Sequence, residues 1–166
     1  MFDSIVLGVD PGLASSGLAA LARDGPRFEI LWAGTVRTSA GLAESSRLRM
    51  LHEAVRSAIR DHRADVVAVE RVMWGRNVGS AMSVARATGV VLLAAAQAGV
   101  MVEEYAPLEV KMAVAGVGNA PKETLRRALA RMHGLQGVPS EPDAADAVAV
   151  AFCHLQQSRL RKAIRA

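Results

Sequence analysis

Residues 4–10 (SIVLGVD) are apolar almost throughout and end on an acid, the pattern of a short strand buried on both faces. A second apolar run covers 17–22 (GLAALA). Asp24-Gly25 then supplies a hairpin turn before RFEILWAGTV (27–36), where Phe28, Ile30 and Trp32 alternate with Glu29 and Leu31. Together these segments predict three antiparallel strands. From 43 to 62 the apolar residues Leu48, Leu51, Val55 and Ile59 recur at helical spacing, with Arg47, Arg56 and Arg60 spread over other faces. ADVVAVE (64–70) is valine-rich and too short for a buried helix, so it predicts a fourth strand, and it too ends on an acid. Helices over 77–97 and 107–115 follow, separated by a strand near 100–105. Pro121 opens a basic helix (PKETLRRALARM), and after a loop from Gly134 to Pro142 the last helix begins near Ser140. A strand meander followed by alternating helices and strands predicts an α/β protein with a mixed sheet and parallel crossovers.

Composition narrows this little. At 166 residues and 51% hydrophobic, the chain suits one buried core. Its net charge of +4, carried mostly by arginine, is compatible with a polyanionic partner and does not require one. Cys153 is the only cysteine, which excludes an intramolecular disulfide and a multi-thiolate metal site and predicts a reducing, cytoplasmic setting. The apolar stretch 88–102 is interrupted by Gln97 and Gly99, and Asp3 stands where a secretion signal would be positive. Neither a membrane span nor export is expected.

The candidate chemistry lies in the acids. If the first and fourth strands pair in parallel, Asp10 and Glu70 emerge together at their carboxyl ends, the edge where open α/β sheets carry their sites. In PSEPDAADAVAVAFCHL, Ser140 and Asp143 fit a helix-capping pattern. Asp143 and Asp146, three apart, share a helical face, beside an apolar stripe of Ala144, Val148, Ala151, Phe152 and Leu155. Each acid alone has an ordinary explanation: a turn at Asp-Pro-Gly, a helix dipole at Asp143, an arginine partner for Glu70. Gathered, four carboxylates would repel one another unless a cation neutralised them, and an all-oxygen site selects Mg²⁺ or Mn²⁺. Two such ions support phosphodiester hydrolysis.

GVDPGLASSGLA, VAVERVMWGRN and DAADAVAVAFCH resemble the three acidic motifs of the RuvC family, bacterial Holliday-junction resolvases of the ribonuclease H-like superfamily. The similarity runs from about Ser4 to Leu155, with EYAPLEVKMAVAGVGNAPKE also in register. The resemblance implies a ribonuclease H-like α/β fold, a five-stranded mixed sheet with helices on both faces, in one nuclease domain over 1–158 followed by a short basic tail at 159–166. It implies that Asp10, Glu70, Asp143 and Asp146 bind the catalytic metal, a pair of Mg²⁺ or Mn²⁺ ions, and that Lys111 and Lys122 contact DNA near the scissile phosphate. Where many relatives carry a wedging phenylalanine this chain has Met73, followed by Trp74, whose ring is suited to stacking on a base. Arg76 in the same loop is a further candidate DNA contact. The implied activity is resolution of four-way junctions by paired symmetric nicks, which requires a homodimer because one chain has one acidic cluster. The RuvA-RuvB branch-migration complex is the partner implied by the family. DPGLASSG also resembles the phosphate loop of actin-like ATPases, but those need two lobes and a longer chain. A non-catalytic junction binder and an RNA-directed nuclease of the same superfamily remain as alternatives.

Overall fold

The computed structural model describes residues 2–71 and 78–165, with side chains through Ser158. Three antiparallel strands open the chain: β1 (Ser4–Asp10), β2 (Ser15–Asp24) and β3 (Arg27–Arg37). The turn between β2 and β3 uses Gly25 at φ 55°, and Asp3 accepts its backbone N–H at 2.9 Å. Helix α1 (Glu44–His62) crosses to β4 (Val66–Glu70), and α2 (Val78–Gln97) crosses to β5 (Met101–Tyr105). Three helices complete the chain: α3 (Pro107–Ala115), α4 (Lys122–Arg131) and α5 (Pro142–Arg165). The sheet order is β3-β2-β1-β4-β5, with β4 parallel to both β1 and β5.

Alternation along the strands divides the core in two. Leu7, Val9, Leu18, Val67 and Val69 face α1 and α2, while Val6, Ala19, Leu21 and Ala68 face α3, α4 and α5. Glycine fits α5 against this second face. A Cβ on Gly8 would lie 2.1 Å from the Ala147 carbonyl oxygen, and one on Gly17 would lie 1.8 Å from that of Asp143. Only a residue without a side chain allows the helix so near.

Three expectations need correction. The last helix starts at Pro142, with Glu141, not Ser140, giving the carbonyl that accepts the Ala145 N–H. Its apolar surface is no single stripe: Ala145, Ala147, Ala149, Val150 and Cys153 are buried as well, because α3 and α4 cover the side turned away from the sheet. Finally, α2 is by length and composition apolar enough to cross a membrane, 20 residues at mean hydropathy 1.5. The run at 88–102 holds only the later part of this stretch, which begins at residue 78. In the fold α2 packs on α1 through Ala87, Val91, Ala94 and Ala95, and its only charged residue, Arg86, bonds Glu44 at 2.7 Å.

Candidate active site

Period-two alternation decides where the strand acids point. Asp10 follows Val6 and Gly8 on the α5 face of β1, and Glu70 follows Val66 and Ala68 on the same face of β4. The parallel register sets Val9 beside Val69, so the two acids leave adjacent strand ends together. Asp143 and Asp146, one turn apart at the start of α5, arrive from above, because Gly17 (the β2 partner of Asp10) lets the helix rest directly on the sheet.

The electrostatics register this convergence. Burial, then the charges of Glu70 and Asp146, push the Asp10 carboxyl up to about 7, with Asp143 adding to the rise and Lys122 opposing it. Burial and Asp146 likewise raise Glu70 above the usual carboxylate range, against the pull of Lys122 and Lys111. Lys122, the first residue of α4, bonds Asp146 directly; that bond and the surrounding acids hold its ammonium above the ordinary lysine value despite partial burial. A cation at a helix start opposes the dipole, and here four acids compensate it. On the other side, Ser15 Oγ donates to Asp143 Oδ2 at 2.5 Å. Among the described residues no three acidic side chains are arranged as a metal cage. The donor set nevertheless suits a hard divalent cation: it is all oxygen, and its mutual repulsion is partly relieved by the Lys122 ammonium in contact with it.

An open groove of about 340 Å³ runs past these acids, lined by Glu70, Asp146, Lys111, Lys122, Asn119 and Pro107 among others. The groove thus sets two carboxylates, Glu70 and Asp146, and two lysines, Lys111 and Lys122, around one open space.

A family model described as crossover junction endodeoxyribonuclease RuvC matches residues 6–154. The chain belongs to the RuvC family. RuvC of Syntrophomonas wolfei is 40% identical over 155 residues, covering 93% of this chain and 90% of that one. RuvC of Chloroflexus aggregans is 43% identical over 148 residues, covering 89% and 90%. The solved structure of Thermus thermophilus RuvC in complex with Holliday junction substrate superposes with a TM-score of 0.87 at 34% identity, covering 95% of this chain and 96% of that one.

Of the residues picked out by the RuvC motifs, Asp10, Glu70, Asp143 and Asp146 meet at one sheet edge, and Lys111 and Lys122 flank them. Met73, Trp74 and Arg76 lie outside the described residues. Sequence reasoning missed Ser15. With β2 taken to start at 17, residue 15 fell in a turn with no defined direction. The strand in fact begins at Ser15, so Ser15 and Gly17 share the α5 face. That parity was the available signal. Asn119, in the loop before α4, also lines the groove and carried no sequence signal beyond its neighbourhood to Lys122.

Proposed function

We propose that this chain is a structure-selective endodeoxyribonuclease that resolves Holliday junctions by paired symmetric nicks in DNA recombination and repair, with Asp10, Glu70, Asp143 and Asp146 as its catalytic acids. The observation that carries the reading is the delivery of four carboxylates from β1, β4 and α5 to one edge, beside two lysines, in a member of the RuvC family.

The four acids would hold the cofactor, a pair of Mg²⁺ or Mn²⁺ ions. When bound, it supplies an activated water and charge stabilisation at the leaving oxygen. The protein's own groups do the rest. Lys111 and Lys122 receive the phosphate that enters the groove, and Lys122 exchanges Asp146 for a phosphate oxygen as the strand arrives. The acids, fixed by two strand ends and a helix start, keep their oxygens in place without reorganising during the reaction. Met73 or Trp74 opens or stacks on the crossover, and Arg76 assists.

Two nicks call for two copies, and α2 offers the surface. Val78, Met82, Ala85, Gly89, Leu92 and Ala96 are exposed at steps of four and three along one face, the spacing of a helix-pairing seam. A two-fold pairing of α2 with its counterpart gives the homodimer and accounts for a membrane-length apolar helix in a protein of the cytoplasm. The RuvA-RuvB complex is the partner expected to present the junction. Residues 1–158 form the nuclease domain and 159–166 its basic tail.

A synthetic four-way junction with Mg²⁺ or Mn²⁺ tests the reading. Wild-type protein is expected to cut opposite strands into ends a ligase can seal, in preference to linear duplex or structured RNA, while Asp10→Asn binds without cutting. Equal cleavage by wild type and variant overturns it.

A further inference from the structure

The start of α5 is fastened to the β2–β3 end of the sheet by side chains other than the four acids of the cluster, together with one of those acids, Asp143. Glu141, just before the helix, accepts from Thr35 Oγ1 at 2.8 Å and from Arg37 at 3.1 Å. One turn inward, Ser15 Oγ reaches Asp143 Oδ2 at 2.5 Å across 128 residues of chain. Ser15 pairs with Arg37 in the ladder, and Gly17 pairs with Thr35, so all these contacts spring from three neighbouring residues, Ser15, Thr35 and Arg37, of two strands. The neighbouring Ser16, almost wholly buried, accepts the Gly12 N–H at 3.1 Å and donates to the Gly12 carbonyl at 2.5 Å, closing the turn that follows Asp10.

These contacts divide the work. Glu141 holds the helix as a body; of these strand side chains it is Ser15 that bonds a carboxylate of the reactive cluster. A hydroxyl donating to one oxygen fixes the plane of that carboxylate and leaves the second oxygen free, the usual service of an outer hydrogen-bond partner to a metal ligand. We infer that Ser15 is a positioning residue that sets the rotation of Asp143, leaving its second oxygen available to a divalent cation that the acidic cluster would hold. The inference rests on the nuclease reading for the identity of the site and adds to it a residue outside the four acids.

The test compares wild type with Ser15→Ala, Ser15→Thr, Ser15→Val and Glu141→Gln. Manganese binding to the DNA-free protein is followed by the paramagnetic resonance of free Mn²⁺; junction affinity without metal, cleavage against Mn²⁺ concentration and melting temperature are measured alongside. Ser15→Ala is expected to weaken Mn²⁺ binding about tenfold, to lower kcat at limiting metal with recovery at high metal, and to leave KM for the junction unchanged. Threonine and valine have the same shape and differ in the hydroxyl, so Ser15→Thr should bind Mn²⁺ like wild type and Ser15→Val like Ser15→Ala. This pair decides the matter even if alanine disturbs folding. Glu141→Gln should lower the melting temperature without moving the Mn²⁺ titration.

Equal Mn²⁺ affinity in the threonine and valine variants overturns the inference, as does tighter binding in Ser15→Ala. A shift in Glu141→Gln as large as that in Ser15→Ala also overturns it, since the effect would then come from helix placement. If wild type binds Mn²⁺ but cuts no junction, the nuclease reading fails while the titrations still decide the role of Ser15.

Discussion

Asp10 is largely buried and sits among three other acids, with Lys122 in opposition among the described residues, and its proton is correspondingly hard to remove. Its carboxyl is raised from 3.8 to about 7 in the folded chain. A group raised on folding contributes stability that is complete below its unfolded value and lost as pH climbs through the folded one. In metal-free protein Asp10 therefore favours the fold at pH 4 and progressively less up to about pH 7, and the raised Glu70 acts in the same direction. Asp10→Asn removes the burdened charge. Thermal unfolding in a chelating buffer should show wild type losing stability between pH 4 and pH 8, with the variant losing less and melting higher at pH 8 by the equivalent of a few kcal/mol, roughly 1.4 kcal/mol for each tenfold change in proton affinity that the substitution relieves. A variant that melts lower at pH 8 would mean the carboxylates do not strain one another. At this scale the sequence was informative about charge: one acid closing an apolar strand has ordinary explanations, but two such acids together need a partner, and that marks Asp10 and Glu70. It was uninformative about neutral partners. Ser15 is one hydroxyl in a serine pair, and its importance depends on which face of a strand it occupies, a fact fixed by tertiary register with β3.

The acid-bearing helix touches the sheet through two glycines, and this makes α5 the most sensitive element. Gly17→Ala would drive a methyl group into the Asp143 carbonyl, with backbone on both sides and no flexible side chain to yield. Overpacking of this kind costs about 1–3 kcal/mol, equivalent to roughly 5 °C in Tm for a chain of this size. Because the displaced residue is Asp143 itself, cleavage should fall further than stability explains. Gly8→Ala, two turns along, strikes Ala147 and Ala151 and should cost similar stability with a smaller loss of activity. Calorimetry and junction cleavage on the two variants separate these effects; equal activity losses would refute the ordering. Strand and helix positions along the chain were legible from periodicity because burial on one or two faces leaves a period of two or of 3.6. The surroundings of α5 were not. An alanine-rich helix looks amphipathic when only its largest residues are counted, and its cover by α3 and α4 arises from chain segments whose own periodicity is short: only Val110 and Val114 of α3 are buried.

For the whole molecule, the question is how one acidic cluster per chain makes two cuts. The exposed seam of α2 is the surface proposed above for a second copy, and Gly89 lies at its centre, with open space where a methyl group would stand. Gly89→Arg and Leu92→Glu each place charge on that seam without touching the buried Ala87, Val91 and Ala94 side. Both variants should remain folded and sediment as monomers, and on a four-way junction they should leave single, uncoupled nicks in place of paired ones. Ultracentrifugation and product analysis check this; a dimer that persists in both variants would place the two-fold surface elsewhere. Periodicity could not separate these roles, because an apolar helical face reads the same whether another element or another copy covers it. The buried thiol bears on the same question. Cys153 is enclosed within α5, and burial pushes it up to about 12, which leaves it inert to thiol reagents at neutral pH. The native chain is thus a blank background for disulfide trapping: with Ala85→Cys introduced, any oxidised covalent pair can form only between the new sulfurs, and its yield maps the axis relating the two active sites.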